Sequence, residues 1–392
     1  MQQSETITAL PVRSRPISGL KRALFTLIAL VLIALMIEGA FRALLRLKKK
    51  TVDTFRRDYY NVLKQGPEAI NYSKFYEPGL FMGHPYLPFV QRPNLNHVWV
   101  YKFPFSKGPV EIDFKTNRFG LRGPEISLRR QPGTYRILCL GGSTTFGELP
   151  EKDCWPRTLE RKLREAHPGR SIEVLNAGVL DYTSADSLVS FELRWVELEP
   201  NLVIVHHLLN DFNVANLAPF YADYSHARKP LPSEPNWIDH APRAFEKSAV
   251  FCFLRWKLFP ERRNNIFNLV HVRSKAGYNP YGLVTFIRNM RNIVILAKAR
   301  GMQVILTTMH YYPKTLPPGA KGAMTYIYPH LPEWNQALRD LAKEQGAPLV
   351  DQFNLLPDDV SLHYDGWHLS PKGEALMAGN FFDDIEREGW IK

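Results

Sequence analysis

Short apolar runs closed by Gly, Asn or Asp alternate along this chain with longer stretches whose apolar positions recur every three or four residues. Residues 135–140 have the length and flanking glycines of a buried strand, and residues 155–167 then carry apolar side chains at helical spacing. The alternation repeats. Residues 171–175 predict a strand with the turn Asn176-Ala-Gly-Val179, residues 185–196 a helix, and residues 202–207 a strand ending in Leu208-Leu-Asn-Asp-Phe212. A helix over 283–299, a strand over 303–308, a helix over 333–344, a short strand over 348–351 and a last helix over 371–388, with Pro at its start, complete the series. Five short β-runs separated by helices predict an α/β domain over residues 134–392, built on one parallel sheet covered on both faces.

The first part of the chain has another character. Residues 23–37 are uncharged and apolar, and the helical pattern continues to 45, about the 20 residues needed to cross a bilayer. Basic residues flank it, and Ile37-Glu38-Gly39-Ala40 is a poor signal-peptidase site, so a tail (1–22) followed by an uncleaved, single-pass anchor (23–45) in the lipid bilayer is expected. The net charge of +12 suggests nucleic acid until it is located: residues 1–57 hold eleven Lys/Arg against Glu5, Glu38 and Asp53. The excess belongs mostly to the flanks of the anchor, and no nucleic-acid partner is expected. Residues 46–133, rich in Tyr, Phe, Pro and Asn with an alternating Val110-Glu-Ile-Asp-Phe114, predict a β-rich leader. Thr116 to Glu125 within it is taken as a packing bridge rather than a substrate contact. Cys139, Cys154 and Cys252 form no disulfide framework, and no Cys/His cluster suggests zinc.

The candidate chemistry falls at the carboxyl ends of the predicted strands, where open α/β sheets place their sites. Ser143, in Gly141-Gly-Ser-Thr144, leaves the first strand and is a candidate nucleophile. A serine needs a base to take its proton and an acid to orient that base, and Asp365 and His368, three residues apart near the other end of the chain, fit both roles. Acyl transfer further requires donors where an oxyanion develops. Gly178 and the Asn210 amide, on neighbouring strand ends, are candidates beside the Ser143 amide.

Taken together these blocks resemble the SGNH hydrolase superfamily, the GDSL-type lipases and esterases: Gly141-Gly-Ser-Thr144 the nucleophile block, Asn176-Ala-Gly178 the glycine block, Asn210-Asp211 the asparagine block and Asp365-Gly-Trp-His368 the Asp-x-x-His block. The resemblance covers about residues 134–390, and Thr116-Asn-x-x-Gly-Leu-Arg122 resembles the leader of membrane-anchored bacterial members. It implies a three-layer flavodoxin-like fold, no metal or other cofactor, an acyl ester of a small molecule, lipid or glycan as substrate, and a catalytic domain outside the cytoplasm. The sequence departs from the pattern twice: Gly142 replaces the Asp of the name-giving block, and Leu208 stands where the asparagine block usually has Gly.

The remaining histidines have plainer expectations. Of His206 and His207, one is expected to line the cleft and the other to pack; His310 is expected at the pocket rim; His363 could complete a metal trio with Asp365 and His368, but the serine motif accounts better for those two. Residues 212–281 form a long insertion at a strand's carboxyl end, expected either to overhang the cleft as a lid or to pack for stability. The function expected is a membrane-anchored serine ester hydrolase, with an O-acyltransferase of cell-envelope glycan and a non-catalytic polysaccharide-binding or assembly protein as the alternatives.

Overall fold

The structure, a computed structural model, describes residues 19–48, 80–227, 245, 247–258, 278–311 and 329–391. In chain order its elements are α1 (Gly19–Leu47), β1 (Phe81–Met82), β2 (Val90–Gln91), β3 (Asn96–Tyr101), β4 (Val110–Lys115), β5 (Thr134–Gly141), α2 (Ser143–Phe146), α3 (Trp155–Ala166), β6 (Ser171–Asn176), α4 (Ser184–Ser190), β7 (Leu202–His206), α5 (Leu209–Ala215), α6 (Ala249–Leu258), α7 (Tyr281–Ala299), β8 (Gln303–Thr307), α8 (Leu331–Gln345), β9 (Leu349–Val350), α9 (Gln352–Leu355) and α10 (Pro371–Glu388). The chain divides into two compact units, Met1–Arg56 with His240–Phe259, and Arg57–Asp239 with Pro260–Lys392.

In the larger unit the five expected strands form one sheet in the order β6-β5-β7-β8-β9, with every neighbouring pair parallel. That is the order of a doubly wound flavodoxin-like sheet, whose switch point lies between the first strand and the third. Successive strand side chains point to opposite faces, and both faces are apolar here. Leu138, Leu140, Val203, Val205 and Leu306 pack against Phe286, Met290 and Ile293 of α7 and Trp334 and Leu338 of α8. Ile137, Cys139, Ile204 and Ile305 pack against Trp155, Leu159 and Leu163 of α3 and Met377, Phe381 and Ile385 of α10. The result is three layers with two cores.

The helix expected over 185–196 runs regularly only through α4, whose start is a capping box between Thr183 and Asp186. It then widens into a π-helical turn at Phe191–Trp195 and tightens into a 3₁₀ turn at Val196–Leu198. In the described part of the leader, the alternating run is β4, and it pairs antiparallel with β3 from Asn96↔Lys115 to Tyr101↔Val110. β1 and β2 make a second antiparallel pair. Strands are the smaller part of residues 80–133, and residues 49–79 lie outside the described residues. The Thr116 to Glu125 stretch ties the leader to the sheet: the buried Arg122 side chain donates to the carbonyls of Asp113 (3.1 Å), Phe146 (2.9 Å) and Leu149 (2.6 Å). The Asn117 carboxamide oxygen accepts from the amides of Phe119 and Leu121.

Among the described residues, α1 is the single helix long and apolar enough to span a membrane. Its apolar side chains from Leu24 to Ile37 are exposed, which fits a helix solvated by lipid rather than by protein.

Arg136 on β5 is fully buried, ion-paired to Glu173 (2.6 Å) and bonded to the carbonyls of Ser127, Leu128 and Leu198. Breaking such a pair strands its partners, so Arg136→Leu should lower unfolding stability by about 3–5 kcal/mol. A denaturation midpoint unchanged from the native chain would contradict this.

Candidate active site

β5 delivers Gly141 to the carboxyl edge of the sheet, and the chain turns there through Gly142 into the one-turn helix α2 with Ser143 first. The turns after β6 and β7 flank it. The room is small. A Cβ on Gly142 would lie 2.7 Å from Asn210 Nδ2, and one on Gly178 would run into the Thr145–Phe146 backbone. Asn210 therefore stands beside the Ser143 turn although Leu208 replaces the usual glycine. The φ of Leu208, 178°, lies outside the left-handed range that favours glycine.

The loop before α10 brings the other two residues. Asp365 Oδ1 accepts from the amides of Trp367 (2.9 Å) and His368 (2.7 Å), a tight turn that fixes the carboxylate toward its own histidine. Asp365 Oδ2 lies 2.6 Å from His368 Nδ1, and His368 Nε2 lies 2.9 Å from Ser143 Oγ. All three side chains are buried. When the ring is neutral, with Nδ1–H donated to Asp365, Nε2 presents its lone pair to the Ser143 hydroxyl. Residues more than 220 positions apart thus meet in one hydrogen-bonded line.

The proposed oxyanion donors are close by. Asn210 Nδ2 donates to the Tyr182 carbonyl (2.9 Å), which leaves its second N–H for a ligand. The Gly178 N–H donates to Asn176 Oδ1 (3.0 Å), so this donor is engaged and a ligand would have to share it. Asn176 in turn donates to the Phe146 carbonyl (3.0 Å), locking the β6 turn onto α2. Asp211 accepts from the Ser184 amide (2.9 Å), the Ser184 hydroxyl (2.5 Å) and the Tyr224 hydroxyl (3.0 Å), and burial pushes its carboxyl up to about 6.

Sequence reasoning missed Glu148 and Tyr364. Glu148 is buried, with Oε1 4.0 Å from His368 Nε2 and Oε2 accepting from the Tyr364 hydroxyl (3.0 Å). The Tyr364 ring stacks on the His368 ring at 5.6 Å between centroids. A lone Glu five residues after a serine carries no motif; only the reversal of the chain through α2 returns it to the histidine. Burial alone would depress the His368 imidazole, but the charges of Asp365 and Glu148 outweigh it and raise it to about 9. Burial works against the Asp365 charge as well, yet His368 and the loop amides hold that carboxyl below its ordinary value. Glu148 is raised by burial, with the His368 charge opposing.

The other histidines keep apart from this line. His206 and His207 are both buried, and burial depresses each to about 3. His207 Nε2 meets Ser187 Oγ (2.7 Å). His310 and His363 stack and share a contact of 3.2 Å between Nδ1 and Nε2; His310 is buried and, with His206, lines a small cavity beside Thr144. Among the described residues no group of His, Cys, Asp and Glu has metal-holding geometry. Of the insertion, Phe212 packs in the core between Tyr278 and Trp334, Tyr224 is buried on Asp211, and α6 belongs to the unit that contains α1. Trp237 and Arg262-Arg263 lie outside the described residues.

The profile of the GDSL-like Lipase/Acylhydrolase family matches residues 139–376, and the chain belongs to this family of ester-cleaving hydrolases. Solved structures with a similar outline include a GDSL-like lipase from Bacteroides thetaiotaomicron (18% identity, 64% of this chain and 88% of that one, TM-score 0.37). Others are an acetylxylan esterase from Geobacillus stearothermophilus (17%, 64% and 94%, 0.39) and an alpha/beta hydrolase from the metagenome of Lake Arreo, Spain (14%, 64% and 95%, 0.40). No substrate passes from them to this chain at such distances. Among curated proteins, none matches.

If Asp365 and Glu148 together hold the proton on His368, Glu148→Gln removes one of the two charges and the imidazole should titrate at lower pH. The ring resonances of His368, followed by NMR from about pH 5 to about pH 10 in the native chain and in the Glu148→Gln variant, report this; an unmoved midpoint would show that Glu148 does not act on the ring.

Proposed function

We propose that this chain is a membrane-anchored serine ester hydrolase in which Ser143 is the nucleophile, His368 the general base and then acid, and Asp365 the residue that orients it. The observation that supports this best is the continuous line from Asp365 Oδ2 to His368 Nδ1 and from His368 Nε2 to Ser143 Oγ, at 2.6 and 2.9 Å. These are hydrogen-bond distances from base to nucleophile and from orienting acid to base. Ser143 Oγ attacks the acyl carbonyl carbon while its proton passes to Nε2, and the ester C–O bond breaks as Nε2 returns that proton to the departing alcohol. Water then attacks the acyl-enzyme, gives its proton to Nε2, and the acid leaves as Ser143 recovers its hydrogen. The Ser143 amide, the Asn210 amide and the Gly178 amide stabilise the oxyanion of both steps.

The substrate is an acyl ester of a small molecule, a lipid or a glycan. The base is the neutral imidazole, so kcat/KM rises with pH as His368 loses its proton. On a short acyl ester Ser143→Ala should lose several orders of magnitude in kcat/KM, and labelling by a fluorophosphonate should vanish with it. Full activity in that variant overturns the assignment. Product that forms only when a glycan acceptor is supplied overturns hydrolysis in favour of acyl transfer, and a folded native chain that neither turns over nor labels is non-catalytic.

The catalytic unit lies outside the cytoplasm, a side supported by the likeness of Thr116-Asn-x-x-Gly-Leu-Arg122 to anchored bacterial members, against a basic flank that is heavier after the anchor than before it. Alkaline phosphatase fused after Lys392 should then be active in a bacterial host. An inactive fusion with an active cytoplasmic reporter at the same position reverses the orientation.

A further inference from the structure

α6 starts on a carboxylate of α1. Glu38 accepts from the amides of Ala249 (2.7 Å) and Val250 (3.1 Å), from the Ser248 hydroxyl (2.7 Å) and from Arg42 Nε (2.6 Å). These amides are first-turn donors that no carbonyl of α6 can satisfy, and the positive end of the helix faces the negative charge. The same bonds solve a problem for α1. Glu38 directly follows fifteen uncharged residues, within the roughly 20-residue length of a span counted from Ala23, where an unpartnered carboxylate is costly. From there α6 follows α1 toward its C-terminal end: Ala249 and Cys252 are buried against Leu45, and the Phe253 ring lies 5.1 Å from Phe41.

The opposite side of α6 is apolar too. Leu254 and Leu258, four residues apart, are 46% and 62% exposed, and Phe245 just ahead of the helix is 52% exposed. Exposed leucines opposite a packed apolar face, on a helix that also carries Arg255 and Lys257, make the amphipathic strip of an interfacial helix. On α1, Ile37, Leu44 and Leu47, close in sequence to its contacts with α6, are exposed as well.

We propose that α6 is a second membrane contact of this protein: an interfacial helix seated on the end of the anchor through Glu38, with Leu254 and Leu258 among the lipid acyl chains. The occupant is the bilayer because α6 packs along a membrane-length helix and its start is bonded to a residue inside that helix's span.

The test uses the full chain in phosphatidylcholine–phosphatidylglycerol nanodiscs. Leu254→Cys and, separately, Leu258→Cys carry a thiol-linked, polarity-sensitive fluorophore; Lys343→Cys on α8 is the water-exposed reference, and the native chain, whose Cys139, Cys154 and Cys252 are buried, is the labelling blank. Blue-shifted emission at 254 and 258, with most of it lost when the lipids carry a nitroxide near the headgroup end of the chain, supports the proposal. Emission like that of the 343 label overturns it. So does a label protected from aqueous iodide yet untouched by nitroxide lipids, which would mean that protein, a second copy or another part of the chain, covers this face. A labelled chain that loses its native gel-filtration profile at one position is replaced by the other.

Discussion

The lack of space around the end of β5 governs the site. Ser143 can occupy the turn between β6 and β7 only because neighbouring positions carry no side chain: at Gly142 a Cβ would displace the Asn210 amide, and at Gly178 it would strike the backbone of α2. Hydrogen bonds then fix what the missing side chains allow, Asn176 to the Phe146 carbonyl and Asn210 to the Tyr182 carbonyl. Three turns that begin on different strands become one rigid block. Rigidity of this kind lets donors face a developing charge without rearranging first.

Charge is distributed unevenly about His368. Asp365 sits on Nδ1, and Glu148 approaches the other nitrogen, the one that faces Ser143. Glu148 is itself restrained by Tyr364, whose ring lies against the imidazole and against Phe103. Aromatic packing from the leader thereby reaches the ring through one tyrosine, and the leader also supplies polar groups: Gln91 donates to the Gly178 carbonyl (2.9 Å), and the Arg122 charge opposes the rise of the Glu148 carboxyl.

What could be read from the sequence was local. Apolar runs of strand length, closed by glycine or asparagine, marked β5, β6 and β7 within a residue or two of their observed ends, and the turns after them carried Ser143, Gly178 and Asn210. Asp365 and His368 were legible because one loop holds both. Non-local contacts were not. Residues 96–101 mix Asn and His with apolar residues and become recognisable as β3 only beside β4. Glu148 depends on a chain reversal, and the π-helical turn at Phe191–Trp195 has no periodic signature of its own. The insertion reads in sequence as a single element, whereas Phe212 and Tyr224 are core residues of the sheet unit and α6 packs on α1; the bond from Glu38 to Ser248 joins positions 210 apart, beyond any pattern.

The margins of the sheet have their own consequence. β9, at one margin, is two residues long. At the other, β6 is longer, but the Arg164 guanidinium binds the Ile172 carbonyl twice, Glu173 carries a charge, and Arg122 forms an antiparallel bridge to Asn176. Short length, charge and a covering turn are the devices by which sheets refuse an extra strand. Copies of this protein crowded in the plane of one membrane can therefore collide side by side without zipping into a shared ladder, a safeguard that matters more for a tethered protein than for one diluted in three dimensions.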